Sequence, residues 1–358
     1  MYYFFCNAYL HLFYALYLSI LKKEVTIITN NLAVYKFCKH INKKAIYYEP
    51  LPKFVSFKFY KQLNYLIDIK NQAEELIQTI KFNKDDIVIY PNNYFPIYEA
   101  GRISYMLNKI AKLTNLYIIN IVRLDYIETT LKHIKSKLLR FRKFYLNLLY
   151  RSVFGVKLSF YKMDRRLKND TRLWLGFSKN NGSYNNDASS LDLNVDYNKV
   201  INKVAINYGK DITKNYDHLI LYDGDGDSEF TFSSSSLEDI YNYLFSNIKN
   251  YAIKRTPKIL QGLENRLDIN LKNDHRCIPE YIPAELLFSN INKSVISISS
   301  ASLYNININK NLKAISLLEL VSWNNKDIKK VRKDYLQKRN NKIFFPHNFD
   351  ELLTIIKA

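Results

Sequence analysis

Apolar residues along this chain fall into two kinds of pattern. Short continuous runs such as Tyr2–Cys6 and Val25–Thr29 fit strands buried on both faces of a parallel sheet. Longer stretches repeat at helical spacing. In the first half the runs alternate: strand Tyr2–Cys6, helix Leu10–Lys22, strand Val25–Thr29, helix Leu32–Ile41, strand Ala45–Tyr48. The amphipathic stretch Phe57–Ile80 follows, then strand Ile87–Tyr90, helix Ile97–Leu113 and strand Leu116–Ile121. Strands separated by helices at this spacing predict βαβ units and a doubly wound parallel sheet. Ligands bind beyond the carboxyl ends of such strands. That rule places Asn7, Asn92, Asn93, Asp125 and Glu128 at the mouth of a site.

Residues 178–194 are rich in Asn, Ser, Gly and Asp and read as a linker or surface loop. Beyond them, Lys203–Tyr208 and His218–Tyr222 read as strands and Leu237–Ile248 as a helix. Leu312–Val321 continues the alternation, and Phe349–Ile356 is a short terminal helix after Pro346. The expected division is residues 1–177, a linker at 178–200, a second domain at 201–345 and a terminal helix at 346–358.

Composition narrows the class. The chain has 358 residues, 47% of them hydrophobic, which is enough for two domains with sizeable cores. Gly and Pro number eight each, too few for a low-complexity or collagen-like chain. The formal net charge of +20 favours anionic partners: nucleic acid, an anionic membrane surface or phosphorylated substrates. Zinc-finger spacing, a helix-turn-helix and an RNP-type strand are all missing from the sequence, so nucleic acid is not expected. The basic stretch Thr129–Tyr150 fits a solvated helix with a core face, a helix docked on an anionic membrane, or a nucleic-acid contact. Cys6, Cys38 and Cys277 lie far apart without metal spacing and read as free thiols of a reducing cytoplasm. The apolar first twenty-one residues lack the basic start of a signal peptide. Asn7, His11 and Ser19 interrupt them as a membrane span.

Three short motifs carry chemistry. Strand residues lead into Lys254-Arg255-Thr256-Pro257, a basic loop set by a proline. Glu285 follows Pro283 at a helix start, where a carboxylate can face the helix dipole or accept both hydroxyls of a ribose. Ser299-Ser300-Ala301-Ser302 follows an apolar strand, and small residues entering a helix form an anion site. Together they read as half of a nucleotide-sugar site. The acidic loop Asp223–Glu229 has three readings: a calcium loop, a carboxylate at a strand end, or a plain turn. Calcium is disfavoured, because the twelfth loop position falls on Ser234 where a glutamate is required.

The order of the basic-x-Pro strand end, the Pro-x-Glu helix start and the Ser-Ser loop resembles bacterial GT-B sialyltransferases. These are the lipooligosaccharide sialyltransferases of glycosyltransferase family 52 and the capsule polysialyltransferases. Leu221-Tyr222-Asp223-Gly224-Asp225-Gly226 resembles their acidic motif, and Asp125–Glu128 has its placement. The resemblance implies an α/β, GT-B-like fold of two Rossmann-type domains with parallel sheets. It implies inverting, metal-independent transfer of sialic acid, or a related nonulosonate, from a CMP-sugar to a lipooligosaccharide or capsule glycan. Asp125, Asp223 or Asp225 would be the base. Lys254, Arg255, Ser299 and Ser300 would hold the CMP phosphate, Thr256 and Pro257 would belong to the same CMP-sugar site, and Glu285 would bind the ribose, with Asn7 and Asn92 on the acceptor side. No cofactor or metal is implied. The protein would work in the cytoplasm, in peripheral contact with the inner membrane. Where the family has His-Pro, this chain has Thr256-Pro257, so a hydroxyl replaces an imidazole beside the leaving phosphate. Two alternatives are a GT-B transferase using another nucleotide sugar and a non-catalytic polyanion-binding protein.

Overall fold

The computed structural model of the chain describes residues 1–22, 24–51, 59–91, 94–95, 97–119, 148–149, 151–155, 173–174, 191–193, 195–209, 215–222, 234–257, 274, 276–308, 311–323, 329–330, 333–334, 336–337 and 340–357. The chain divides into two units, Met1–Asn31 with Asn42–Asn194, and Leu32–Ile41 with Val195–Ala358. The break at Asn194 falls inside the expected linker. The helix Leu32–His40 and the terminal helix Phe349–Lys357 both group with the second unit.

The first unit is built on five parallel strands: β1 (Tyr2–Phe5), β2 (Val25–Thr29), β3 (Ala45–Tyr47), β4 (Ile87–Pro91) and β6 (Asn115–Ile119), in the order β3-β2-β1-β4-β6. Two short strands, β5 (Tyr94–Phe95) and β7 (Leu173–Trp174), pair antiparallel beside it. Alternation sorts the faces of the large sheet. Tyr3, Phe5, Ile28, Val88, Tyr90 and Ile118 belong to one core with Leu66, Ile69 and Ala73 of helix Phe59–Ile80 and Ile103, Met106 and Ile110 of helix Ile97–Leu113. Phe4 is in register with Ile27 on one side and Ile89 on the other, a row that points to the opposite face. Full burial on both faces is why these strands are continuous apolar runs. At the amino edge the Met1 ammonium lies 3.1 Å from Asp86.

The second unit holds β8 (Tyr216–Tyr222), β9 (Tyr251–Arg255), β10 (Cys277–Ile278), β11 (Ile291–Ser297), β12 (Lys313–Ser316) and β13 (Ile343–Phe344), all parallel, in the order β10-β9-β8-β11-β12-β13. Numbered within the sheet this is 3-2-1-4-5-6, the doubly wound order with its reversal between β8 and β11. Both units are therefore Rossmann-type, the pair of domains that a GT-B-like chain carries. Tyr222 packs on Tyr241 of helix Ser234–Asn247 with ring centroids 4.6 Å apart.

One expected strand is corrected. Lys203–Tyr208 lies in the helix Tyr197–Tyr208. Asp196 caps it, its carboxylate accepting the Asn198 N–H at 2.9 Å. Val200, Ile201 and Val204 are buried while Ile206 is 64% exposed, a helical period that the β-branched run concealed. Asn92, Asn93, Asp125, Glu128, the loop 223–229 and nearly all of 129–150 lie outside the described residues. No described helix is long and apolar enough to cross a membrane.

His11, at 1% exposure, accepts the Asn7 N–H on Nδ1 at 3.2 Å, and burial pushes its pKa down to about 3. An unfolded histidine takes up its proton near its ordinary value of about 6.5, so between there and about 3 the unfolded chain binds more protons. Stability should fall as pH drops through that window, by at most about 1.4 kcal/mol per pH unit from this group. His11→Gln keeps an acceptor for Asn7 and removes the titration. Urea unfolding at pH 7 and pH 4.5 should show a smaller loss in the variant than in the wild type.

Candidate functional site

The register of the second sheet shows where its chemistry begins. One row across it is Cys277–Ile253–Ile220–Ile296–Ile315, almost wholly apolar. The next row toward the carboxyl edge is Ile278–Lys254–Leu221–Ser297–Ser316. In one step the sheet changes from isoleucines to a lysine and two serines, all three buried. Buried polar side chains must find partners, and these find them in the loops that follow.

Lys254 donates from Nζ to the carbonyl oxygens of Arg255 at 2.6 Å and Glu280 at 2.9 Å. It therefore ties the end of β9 to the turn after β10. Burial drives its pKa down to about 7; the Glu285 carboxylate pulls it up, and the Arg255 guanidinium pushes it further down. Arg255 is 6% exposed and forms an ion pair with Glu280. The sequence suggested both as open cations for a phosphate. Instead one is spent on main-chain carbonyls and the other is met by a carboxylate. Thr256 and Pro257 follow, half-buried.

Glu285 is the second residue of a 3-10 helix, Ala284–Asn290, that starts at Pro283. Its Oε1 accepts from Ser302 Oγ at 3.0 Å and from Asn305 Nδ2 at 3.1 Å, both in a second 3-10 helix, Ala301–Ile308. The Pro-x-Glu start and the serine loop, separate motifs in the sequence, are thus joined side chain to side chain. Gly209, which ends the helix Tyr197–Tyr208, permits a close approach here. A Cβ at that position would meet the Ala205 oxygen at 2.7 Å and the Leu286 oxygen at 3.2 Å.

The serine turn is built from its own hydroxyls. Ser297 Oγ accepts the Ser300 N–H at 3.0 Å, Ser300 Oγ accepts the Ser302 N–H at 3.3 Å, and the Ser300 carbonyl accepts the Leu303 N–H at 3.1 Å. Ser316 Oγ donates to the Ile298 carbonyl at 2.7 Å. Ser299 and Ser300 are half-buried at the end of this turn. Several N–H groups expected to cradle an anion therefore shape the loop. Sequence reasoning missed Glu280, Ser302 and Asn305. Glu280 and Ser302 stood inside the two motifs, whereas Asn305 carried no signal, because only the fold of the second 3-10 helix turns it back.

In the first unit, Asn7 follows β1 at the carboxyl edge, as expected. Among the described residues no group of three or more His, Cys, Asp or Glu is placed to hold a metal.

No family model matches the chain, and no curated protein matches it. Among solved structures, it is similar to the UDP-GlcNAc 2-epimerase of Methanocaldococcus jannaschii, at 13% identity and TM-score 0.39, over 100% of this chain and 92% of that one. It is similar to Acinetobacter baumannii MurG at 9% identity and TM-score 0.36, over 100% and 90%. A glycosyltransferase from Rickettsia africae gives 14% identity and TM-score 0.34, over 99% and 97%. All three TM-scores are low, which leaves function to be decided by this chain's own residues.

Lys254 gives a measurable signature. Its ordinary pKa is 10.5 and its folded value about 7, so between those values the unfolded chain holds the extra proton. Stability from this group should rise as pH rises from about 7 toward 10, by roughly 1 kcal/mol per pH unit. Lys254→Met should lose that rise when the two proteins are unfolded in urea at pH 7, 8 and 9.

Proposed function

We propose that the chain is a glycosyltransferase whose second unit binds a nucleotide sugar beyond the carboxyl edge of β8, β9 and β11. The observation that carries this reading is the abrupt polar row at that edge together with Glu285, a buried carboxylate oriented by Ser302 and Asn305. A carboxylate fixed in this way suits a ribose diol, which donates two hydrogen bonds. It lies beside the reversal of the strand order, where nucleotides bind on doubly wound sheets. Hydroxyls of Thr256, Ser299 and Ser300 would meet the phosphate, with Lys254 holding the loops that carry them.

In its finer form the donor is a CMP-linked nonulosonate such as CMP-sialic acid, and the acceptor is a glycan of lipooligosaccharide or capsule. The acceptor hydroxyl attacks the anomeric carbon from the side opposite the nucleotide. A carboxylate takes the hydroxyl proton, and CMP leaves with the electron pair of the broken C–O bond. Asp125, Asp223 and Asp225 are the proposed bases, and Asn7 and Asn92 the acceptor-side residues. The reaction as proposed needs no metal. We place it in the cytoplasm, with the protein in peripheral contact with the inner membrane.

Thermal unfolding with CMP, UDP and GDP tests the reading. A nucleotide at a hundred times its dissociation constant should stabilise the protein by about 2.7 kcal/mol. Glu285→Gln keeps an oxygen for Ser302 and Asn305, so the free protein should unfold near the wild-type temperature. Its nucleotide affinity should fall by roughly ten- to a hundredfold, the worth of a hydrogen bond to a charged group. A response to UDP or GDP alone replaces the donor and keeps the transferase. No response to any of the three overturns the site.

A further inference from the structure

We infer that the turn between β1 and the helix Tyr9–Lys22 binds an uncharged, hydroxyl-bearing group, a pair of hydroxyls on a neutral sugar, through the side-chain amide of Asn7. The inference rests on the transferase reading only for calling that sugar the acceptor.

The turn sits where the first sheet reverses its order: β2 and β3 lie on one side of β1, β4 and β6 on the other. A crevice opens at that point of a doubly wound sheet. Much of the main chain there is already paired. The Cys6 N–H donates to the Ile28 carbonyl at 2.8 Å, and the Cys6 carbonyl accepts from Thr29 Oγ1 at 2.5 Å. The Asn7 N–H donates to His11 Nδ1 at 3.2 Å, and the Asn7 carbonyl accepts from Asn31 Nδ2 at 3.4 Å. The Ala8 carbonyl takes the N–H groups of His11 and Leu12, both at 3.1 Å. The Asn7 amide stands apart from this economy. Its Nδ2 and its Oδ1 are both buried, and neither has a hydrogen-bond partner among the described residues.

A buried amide with both ends unmet is costly, and buried polar groups are otherwise nearly always paired. The partner that would complete it has to donate to Oδ1 and accept from Nδ2. A phosphate or a carboxylate accepts only and would leave Oδ1 facing negative oxygen. An ammonium donates only and would leave Nδ2 unmet. Two neighbouring hydroxyls do both. The surroundings agree. Polar side chains at this turn include Asn7, His11, Thr29 and Asn31, and His11 is held neutral by burial. The Met1 ammonium and Asp86 lie at the opposite, amino end of the sheet. Arg102 donates to the Glu49 main-chain carbonyl at 3.0 Å beyond β3, a strand two places from β1. A neutral, hydroxyl-bearing ligand is thus favoured over an ion by pairing.

The test uses the full chain and two variants, Asn7→Leu, close in size, and Asn7→Ala, which removes the amide without adding bulk. The probes are lactose, N-acetyllactosamine and maltose, with glucose 6-phosphate as the anionic counterpart, followed by saturation-transfer NMR. The wild type should bind at least one neutral sugar and prefer it to the phosphate. Both variants should lose about tenfold or more of that affinity, as expected when a paired polar group is removed. Asn7→Leu should unfold no earlier than the wild type, since it removes an unmet amide. Binding of CMP, UDP or GDP should be the same in wild type and variants. Sugar binding by the wild type that both variants keep, or a preference for glucose 6-phosphate, overturns the inference. So does a wild type that binds none of the neutral sugars, or a lowered unfolding temperature in both variants with sugar binding intact. If no nucleotide binds while the sugar response depends on Asn7, the sugar site stands and the transferase reading falls.

Discussion

A lysine amine withdrawn from water has to place its protons on acceptors or give one up. Lys254 is held between these outcomes. Two main-chain carbonyls accept from it, Glu285 favours its charge, and burial and Arg255 oppose that charge. The rest of the site hangs on this compromise. Because the carbonyls belong to Arg255 and Glu280, the end of β9 and the turn after β10 cannot move independently. Because the opposing carboxylate is Glu285, the same arrangement reaches Ser302 and Asn305 through its Oε1. Removing the amine would take the donor from a buried carbonyl, Arg255, worth about 1–3 kcal/mol, and from a part-buried one, Glu280.

Most of the framework was legible in the sequence because burial on two faces leaves a plain mark. Val25–Thr29 has to be apolar at every position, and the strand found has those bounds. Helix Ile97–Leu113 was likewise read to its ends. Element order followed from alternation, and the doubly wound arrangement followed from element order. The failure at Lys203–Tyr208 has an equally plain cause. Val204 and Ile206 suggest a strand, yet Asp196 caps a helix whose exposed face carries Ile206. A single apolar residue on a solvated face is ordinary, and there it outweighed the cap.

The site was legible in its parts and not in its wiring. Lys254, Arg255, Glu285 and the serines come to one sheet edge, as their positions after strands required. Sequence spacing gives no sign that Lys254 turns its amine to carbonyls. Nor does it show that Arg255 is met by Glu280, or that Glu285 is held by Ser302 and Asn305. Those contacts join loops following different strands, and only the register of the sheet determines which loops meet.

That wiring changes what the charge of the chain means. Overall the formal charge is +20, which on its own suggests open cations waiting for an anion. Among the described residues at the edge of the second sheet, Lys254 and Arg255 face Glu280 and Glu285. The attraction of the net charge acts at long range and is screened by salt. Field and contact then have separate tasks. Under the proposed reading the net charge would raise the rate at which an anionic donor arrives, whereas what is held, and in which orientation, would depend on short hydrogen bonds from hydroxyls and carboxylates fixed by the fold.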